Sequence, residues 1–335
     1  GAIKVPLELI LCRECTLLQL KHTVSPEILY SHYFYKSFIN IAMRRALQNI
    51  ADEATWRVDL HEGDVALDIG CNDGSLLRAY PANITKVGFE PAKNFIPEAK
   101  VGTDMIVNSF FNAESFLKLG LGKARAVTSI AMFYDLQDPN KFVEDIKKCL
   151  ARDGLWIIEQ HYLPSVLQRN AFDSIVHEHL ELYSLRSLKS LLDRHGMEIV
   201  DVELNDVNGG SFRTYVGAGN HLHPRYHRRH SLALGNSVDN LLRLEERYGY
   251  ATEAPYLAFA EKIKDIVGRV KTCIVGESQK GKKIFAYGAS TKGNTFLQYA
   301  DLDSRYIQKA VERSPDKWGK KTVGTLIPII SEEQA

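Results

Sequence analysis

The sequence lacks most of the features that would set it apart from an ordinary globular protein. It has only 5 cysteines in 335 residues, which excludes a disulfide-stapled scaffold and suits a reducing, cytoplasmic setting. No run of about 18 uncharged apolar residues is present, so we expect no membrane-spanning helix. The formal net charge of +1 gives no general attraction to nucleic acid or to an anionic membrane. A small-molecule partner is the remaining expectation.

Short apolar runs alternate with helical segments, which predicts a parallel sheet wrapped by helices. The runs of the main α/β region are Val65–Ile69, Lys86–Phe89, Ala126–Ile130, Leu155–Glu159 and Phe212–Val216. A second strand–turn–helix begins at Lys283. We therefore predict a small N-terminal region over 1–56, an α/β domain over 57–220, and a helical linker with a C-terminal Rossmann-like α/β unit over 221–335.

The segment from Val65 to Leu77 has the pattern of a strand, a glycine turn and a helix. Gly70 and Gly74 would let the backbone turn tightly and approach a ligand. Asp68, at the strand end, is placed to hold a cationic amino group. Glu90 ends the next strand, where a carboxylate can accept ribose hydroxyls.

The charge of this turn distinguishes between two cofactors. It lacks the GxGxxG spacing of a phosphate cradle, and the side chains of Asn72 and Asp73 would meet a pyrophosphate badly. S-adenosylmethionine has no phosphate and carries a sulfonium and an ammonium, so the turn predicts a class I methyltransferase sheet. An α/β protein whose turn binds nothing is the alternative. Further cofactor contacts are predicted after the third and fourth strands, at Asn108, Ser109, Phe110, Ala131 and Phe133.

A histidine-rich segment supplies candidates for proton transfer. His177, Glu178 and His179 follow the fifth strand, and imidazoles titrate near neutral pH. Methyl transfer to carbon or oxygen needs a base, because the acceptor must lose a proton. A metal is disfavoured, since adjacent strand residues point to opposite faces. The plain alternative is that these side chains are satisfied or solvated.

Two loops are candidates for binding the acceptor. Residues 205–211 either form a simple hairpin turn or line the cleft for a polyhydroxylated substrate through Asn208, Gly209, Gly210 and Ser211. In the C-terminal unit, the turn at 288–294 and Lys292 form a plausible anion site at a helix start, with Lys317 as a second cation. A nucleotide diphosphate would fit there, although an ordinary strand-to-helix turn is the alternative. The basic patch His221–His230 is interpreted as a solvated linker.

Taken as an ordered set, these motifs resemble the sugar C-methyltransferases that act on nucleotide-linked deoxy sugars. The set extends along the whole chain: Cys12-x-x-Cys15 with Leu18–Leu20, Tyr33–Tyr35, Asp68–Gly74, His177–His179, Asn208–Ser211, Tyr287–Ala289, Lys292–Asn294 and Asp316–Lys317.

The resemblance implies a zinc-binding N-terminal region, a methyltransferase domain and a C-terminal Rossmann-like domain that holds the nucleotide of the acceptor. It also implies that His179 removes a proton from the carbon beside a keto group. The acceptor residues that it adds are Tyr33, Tyr35, Tyr287 and Asn294.

Two departures from the family pattern leave alternatives open. Members usually bring two Cys-x-x-Cys pairs, whereas here Cys12 and Cys15 form only half of a tetrahedral zinc site. Val176 stands where well-understood members have a tyrosine that polarises the sugar. An O-methyltransferase acting on a sugar or natural-product hydroxyl is therefore the nearest alternative. A binding protein that keeps the fold without catalysis is the alternative of another class, and the missing GxGxxG argues against a nicotinamide oxidoreductase.

Overall fold

The computed structural model describes residues 5–30, 33, 37–39, 41–218 and 237–335. These residues form two compact units. The large unit comprises Leu9–Ser165 and Leu180–Thr252; the small unit comprises Val166–His179 and Glu253–Ala335, with the described residues before Leu9. The boundaries predicted after residues 56 and 220 do not coincide with these units, and the three-part division stays a prediction.

Each unit is built from strands and helices that we number along the chain. The strands are β1 (Leu9–Leu11), β2 (Leu18–Leu20), β3 (Val65–Ile69), β4 (Thr85–Phe89), β5 (Met105–Val107), β6 (Ala124–Ile130), β7 (Leu150–His161), β8 (Glu181–Leu182), β9 (Met197–Asn205), β10 (Ser211–Ala218), β11 (Phe285–Tyr287), β12 (Lys309–Val311) and β13 (Ile329–Ile330). The helices are α1 (Pro26–Tyr30), α2 (Ile41–Arg57), α3 (Ser75–Ala79), α4 (Ile96–Ala99), α5 (Ala113–Leu117), α6 (Pro139–Cys149), α7 (Leu163–Gln168), α8 (Leu185–Arg194), α9 (Ser237–Arg247), α10 (Ala254–Gln279) and α11 (Thr291–Tyr299).

The central sheet of the large unit has seven strands in the order β5-β4-β3-β6-β7-β10-β9. The first five strands are parallel, and β10 is antiparallel to both β7 and β9. The chain order reverses between β3 and β6, and in open α/β sheets the carboxyl ends of the strands at such a point form a ligand crevice. The predicted, mostly parallel sheet is confirmed. The remaining strands of this unit form the small sheet β1-β2-β8.

The sheet separates two hydrophobic clusters. One contains Phe89, Phe133 and Trp156 and is covered by α6 and α8. The other contains Ile50 and Tyr215 and is covered by α2. Burying such side chains contributes about 1.5–3 kcal/mol each. Because helices pack on both faces of the sheet, we expect ligands to bind at the strand ends.

A buried cation connects the first long helix to β9, the edge strand of the sheet. Arg57, the last residue of α2, lies 2.9 Å from Asp201 and 3.2 Å from Glu203, both on β9, and 3.0 Å from Glu53. Its guanidinium stacks on the Tyr215 ring at 3.6 Å. Since a buried charge that loses its partners is costly, this cluster is stable only when it is complete.

The small unit has a three-stranded parallel sheet, β11-β12-β13, with a core that includes Ile263 of α10 and Leu297 of α11. The segment Val166–His179 joins this unit through Phe172, whose ring lies 5.7 Å from that of Phe296 and 5.4 Å from that of Tyr299. Among the described residues, no helix combines the length and apolarity that crossing a membrane requires.

Candidate active site

The glycine turn after β3 lies directly against β4. Gly70 and Gly74 have positive φ angles of 72° and 78°, and the Gly70 N–H donates to the Phe89 carbonyl at 2.9 Å. A Cβ atom on Gly74 would lie 2.9 Å from the Ala99 carbonyl oxygen, and one on Gly88 would lie 2.6 Å from the Cys71 sulfur. Glycine is therefore required both for the conformation of the turn and for its close approach to the neighbouring backbone.

Asp68 is a buried strand-end carboxylate, as predicted, with 3% of its surface exposed. Its Oδ1 accepts a hydrogen bond from the Thr128 hydroxyl at 2.6 Å. Burial raises the pKa of Asp68 to about 7, and the negative charges of Glu90 and Asp73 add to the effect. No basic side chain in the described part of the chain contributes to this shift. A cationic ligand would supply the missing charge.

Glu90 follows β4 and holds the turn in place. Its Oε2 accepts from the Asn72 N–H and its Oε1 from the Ala92 N–H, both at 2.8 Å. Burial raises the pKa of Glu90 above its usual range. A carboxylate has about four acceptor positions, so two bonds from the chain leave capacity for ribose hydroxyls.

The side chains of Asn72 and Asp73 accept hydrogen bonds from backbone groups, and their contact with the cofactor stays a prediction. Asp73 accepts from the Ser75 N–H at 3.0 Å and from the Phe38 N–H at 2.8 Å, and Asn72 accepts from the Ser37 N–H at 3.2 Å. These polar atoms hold the preceding chain segment against the turn. The charge argument for the cofactor therefore depends on the two strand-end carboxylates.

Tyr33 lies close to the same region. Its N–H donates to Asn94 Oδ1 at 3.2 Å, and Asn94 Nδ2 donates to the Tyr33 carbonyl at 2.8 Å. Asn94 belongs to a short helical turn that follows Glu90. Tyr35, the other predicted tyrosine, and the basic patch His221–His230 lie outside the described residues.

The loop after β5 has the predicted polar and aromatic groups. Asn108 Nδ2 donates to the Glu90 carbonyl at 2.8 Å, which fixes this loop to the carboxyl end of β4. The Ser109 hydroxyl donates to the Phe110 carbonyl at 3.0 Å. The Phe110 ring is 46% exposed and can stack on an adenine.

The segment after β6 corrects one prediction. Ala131 has a positive φ of 52°, and its N–H donates to the Glu159 carbonyl at 2.7 Å, which turns the chain sharply at the crevice. Phe133, predicted to contact the cofactor, is fully buried, and its ring packs against Trp156 and Tyr183. Its side chain belongs to the core because the turn at Ala131 directs the chain back under the sheet.

The loop before β10 is a hairpin connection between β9 and β10, as one of the two alternatives proposed. Asn208 and Gly209 are exposed, Asn208 has a positive φ of 54°, and Gly210 is buried. The Ser211 hydroxyl donates to the Val207 carbonyl at 2.9 Å and is therefore used within the loop. An acceptor could therefore contact this loop through its exposed backbone groups.

The predicted histidine segment lies in the small unit. His179 Nδ1 is 2.7 Å from the Ser174 carbonyl oxygen, so Nδ1 carries the proton and donates it. Burial lowers the pKa of His179 to about 4; the Ser174 bond opposes this shift, and the positive charge of Lys292 adds to it. Burial raises the pKa of Glu178, and His177 Nε2 lies 3.3 Å from the Pro6 carbonyl. His179 is therefore neutral at neutral pH, as a general base must be.

The glycine turn of the small unit is more fully paired than the anion-site prediction requires. The Ser290 hydroxyl accepts from the Gly293 N–H at 3.0 Å, and the Ala289 N–H donates to Glu312 Oε2 at 3.0 Å. Lys317 lies 3.2 Å from Glu312 and donates to the Ala289 carbonyl. Lys317 is therefore paired within the turn. Its partner Glu312, which directly follows β12, was missed by the sequence analysis.

Two other predicted acceptor residues differ in their surroundings. Tyr287 is 73% exposed; its hydroxyl donates to Glu332 and accepts from Arg313 at 3.0 Å. Asn294 Oδ1 is buried and has no hydrogen-bond partner among the described residues. Asn294 is therefore the better candidate for a polar ligand contact.

The predicted half site for zinc does not extend to a full site. Cys12 and Cys15 are close enough to hydrogen-bond, and the backbone N–H groups of Cys15 and Glu14 lower the pKa of Cys12. A structural zinc site needs four ligands, and the described ranges contain no cluster of three or more histidine, cysteine or acidic side chains that could hold a metal. We derive no step that involves zinc.

The sheet order, the glycine turn and the acidic strand ends together define a class I S-adenosylmethionine-dependent methyltransferase. A family model described as a methyltransferase domain matches residues 35–202, and one described as a C-methyltransferase C-terminal domain matches residues 206–335. The C-methyltransferase NovU of Streptomyces niveus is 31% identical over 341 residues, which cover 100% of this chain and 78% of NovU. The chain belongs to this C-methyltransferase family. The predicted enzyme class and cofactor are confirmed.

Solved methyltransferase structures are similar over about half of the chain. A S-adenosylmethionine-dependent methyltransferase from Clostridium acetobutylicum has a TM-score of 0.41 at 12% identity and covers 53% of this chain and 92% of that one. The magnesium protoporphyrin IX methyltransferase of Synechocystis PCC 6803, with bound S-adenosylmethionine, has a TM-score of 0.39 at 13% identity and covers 53% and 80%.

Proposed function

We propose that this C-methyltransferase methylates a carbon of a nucleotide-linked sugar, with His179 as the general base. The observation that carries the proposal is the state of His179. Because its Nδ1–H donates to the Ser174 carbonyl, the basic lone pair is on Nε2. Its pKa of about 4 keeps this nitrogen deprotonated at neutral pH.

The residues divide the work as follows. Asp68 and Glu90 hold the amino group and the ribose of S-adenosylmethionine, which supplies an electrophilic methyl group. His179 Nε2 takes a proton from the acceptor carbon beside a keto group, and the electron pair of the C–H bond forms an enolate. Lys292, close enough to lower the pKa of His179, stabilises the negative charge that develops.

The start of α11 in the small unit supports a nucleotide-linked acceptor. Lys292 is the second residue of α11, and the amide oxygen of Asn294, two residues further on, is buried and has no hydrogen-bond partner among the described residues. A cation and an amide at a helix start are suited to an anionic, hydrogen-bonding ligand.

The test is turnover with S-adenosylmethionine and a panel of nucleotide-linked deoxy sugars that carry a keto group, followed by NMR of the product. We expect a methyl group on carbon. His179→Asn should lower kcat by about 10²–10⁴-fold while leaving the dissociation constant of S-adenosylmethionine unchanged. His195→Asn, at the exposed end of α8, is the control. Full activity of His179→Asn would remove it as the base.

A second candidate is supported by Val176, which is buried in the small unit where the family pattern has a tyrosine. Without that phenol, an enzyme of this fold has one group fewer to polarise a keto sugar. A methoxy signal in the same NMR experiment would favour methyl transfer to a sugar or natural-product hydroxyl.

A further inference from the structure

Two adjacent hydroxyl residues in the middle of β6 are fully buried, and they have different partners. These residues are Thr128 and Ser129. The Ser129 hydroxyl accepts from Trp156 Nε1 at 3.1 Å and so completes the hydrogen bonding of a core side chain. Burying a hydroxyl is costly unless it is hydrogen-bonded, and a valine would fill the position of Thr128 equally well. The partner of the Thr128 hydroxyl therefore indicates what this threonine does.

That partner is the carboxylate of Asp68. Asp68 and Thr128 are paired in register on the neighbouring parallel strands β3 and β6. The Thr128 hydroxyl oxygen lies 2.6 Å from Asp68 Oδ1 and 3.4 Å from the Leu67 carbonyl oxygen. A hydroxyl has one hydrogen, and it is donated to the nearer, charged acceptor, because charge-assisted hydrogen bonds are the stronger ones. Among the described residues, Thr128 is the one side-chain donor to Asp68.

The titratable groups around Asp68 supply no positive charge. Those within electrostatic reach are Cys71 and Asp73 of the glycine turn, Tyr80 after α3, and Glu90 after β4. Burial is the main cause of the raised pKa of Asp68, the two acids add to it, and the Thr128 hydrogen bond opposes it. Burial also raises the pKa of the thiol and of the phenol, so both stay protonated at neutral pH. Within the described part of the chain, the Thr128 hydroxyl is thus the group that favours the ionised form of Asp68.

We propose that Thr128 is a positioning residue of the cofactor site, whose hydroxyl holds Asp68 in the orientation and charge state that the ammonium group of S-adenosylmethionine needs. A carboxylate has about four acceptor positions, so the bond with Thr128 leaves capacity for the ammonium group. Thr128 is fully buried and acts through Asp68. This inference rests on the proposed function, in which Asp68 holds the amino group of the cofactor.

The test compares substitutions that remove or keep the hydroxyl. Thr128→Val removes it and keeps the shape of the side chain, whereas Thr128→Ser keeps it. Thr214→Val is the matched control, because Thr214 of β10 is equally buried and its hydroxyl has no hydrogen-bond partner among the described residues. Calorimetry between about pH 6 and 8.5 measures the dissociation constant of S-adenosylmethionine. Titrations in two buffers of different ionisation enthalpy give the protons released on binding, and a thermal melt verifies folding.

Without the donor, more of Asp68 is protonated, and binding of a cation must displace that proton. We expect Thr128→Val to weaken S-adenosylmethionine binding by about tenfold at pH 7, the value of one hydrogen bond to a charged group. The loss should shrink to less than about threefold at pH 8.5, where most of Asp68 is ionised in both proteins. Comparing each variant with the wild type at the same pH cancels the titration of the ligand's own ammonium group.

The proton count gives a second readout that does not depend on the size of the affinity change. Because the pKa of Asp68 in the wild type is about 7, Thr128→Val should release about half a proton more than the wild type on binding at pH 7. Thr128→Ser should stay within about threefold of wild-type affinity, since it keeps the hydrogen bond. Thr214→Val should match the wild type in both measurements.

Unchanged affinity of Thr128→Val would overturn the inference. A loss of equal size at every pH, or one that Thr128→Ser shares, would do the same, because a packing defect does not depend on the protonation of Asp68. The proposed function fails separately: Asp68→Asn with wild-type affinity would remove Asp68 as the group that holds the ammonium, and this inference with it. When Asp68→Asn does weaken binding, adding Thr128→Val to it should cause no further loss, and a further loss would contradict the role of Thr128 proposed here.

Discussion

The two units contain the same strand–turn–helix–strand motif with different charges. In the large unit it extends from β3 through Gly70 to Glu90, and in the small unit from β11 through Gly288 to Glu312. Each glutamate follows the second strand and accepts from a backbone N–H of the glycine turn, Asn72 in one and Ala289 in the other. Each also accepts from the residue two positions further along the chain. The backbone arrangement is thus the same.

The difference lies in how the acidic charge is balanced. Glu312 has Lys317 at 3.2 Å, and although burial opposes it, backbone N–H groups and Lys317 hold the pKa of Glu312 below its usual range. Glu90 has a raised pKa, and buried Asp68 adds a second carboxylate beside it. The same backbone motif thus carries different charges: the acidic pair of the large unit favours a cation, whereas Glu312 of the small unit is paired with Lys317.

Asp68→Asn should have the largest effect on cofactor binding, because it removes a carboxylate that has no basic partner among the described residues. We expect S-adenosylmethionine affinity to fall by about 10–100-fold, as for loss of a charged hydrogen bond. Calorimetry measures this directly. Asp193→Asn, an exposed acid of the same unit, is the control. Unchanged affinity of Asp68→Asn would mean that Asp68 does not hold the ammonium group.

The two glutamates can be compared by the same substitution. Glu90→Gln should weaken S-adenosylmethionine binding by about tenfold, since an amide cannot accept from both the turn and the ribose. Glu312→Gln should leave that affinity unchanged, because the hydrogen-bond and ion-pair partners of Glu312 all belong to the small unit. Equal losses in both variants would contradict the assignment of the cofactor to the large unit.

The pH dependence of stability should follow the raised pKa of Asp68. In the unfolded chain this carboxyl ionises near pH 4, whereas in the fold its pKa is about 7. The folded protein therefore holds a proton that the unfolded chain releases, and unfolding becomes easier as the pH rises from about 4 to 7. The slope is at most about 1.4 kcal/mol per pH unit.

Urea denaturation of the wild type and Asp68→Asn between pH 5 and 8 measures this contribution as a difference. We expect the stability of the wild type relative to the variant to fall up to about pH 7 and then stay constant. Saturating S-adenosylmethionine should reduce the slope, because a cation favours the ionised carboxylate. A difference that is independent of pH would show that Asp68 titrates normally.

The smallest effect is expected for Lys317→Met in the small unit. The lysine is partly exposed, so its pair with Glu312 contributes only about 0.2–1 kcal/mol. A thermal melt should show a shift of a few degrees at most, with unchanged cofactor affinity. A large loss of cofactor affinity would mean that the Lys317–Glu312 pair affects cofactor binding, which would contradict the assignment of this pair to the small unit alone.

Sequence patterns predicted the elements that carry the cofactor. The run Val65–Ile69 is fully buried, so its apolar composition indicated β3 directly, and Asp68 and Glu90 were recognisable at the strand ends. Thr128 was missed because a mid-strand threonine has no distinguishing pattern. Glu312 had a signal, because it is an acid that directly follows the short apolar run Ala310-Val311 and lies 24 residues after Gly288.

Other errors arose where the chain departs from a regular period. Phe133 was predicted at the cleft because it follows a strand end, but the positive φ of Ala131 could not be foreseen in a residue that rarely adopts it. The ion pairs that Asp201 and Glu203 of β9 form with the distant Arg57 were not predicted either. Such a pairing between remote segments leaves no local trace in the sequence.

The Arg57 cluster also bears on how the chain folds during synthesis. Its partners Asp201 and Tyr215 are made long after α2 has left the ribosome, with 144 residues separating Arg57 from Asp201. Until they appear, Glu53 is the one of these partners that is already present, and solvation favours leaving the guanidinium in water. The helix can form early, but it can dock permanently only when the last two strands of the sheet have been added. Completion of the large unit is thus a late, long-range event in which the closing strands fix the helix that was made first.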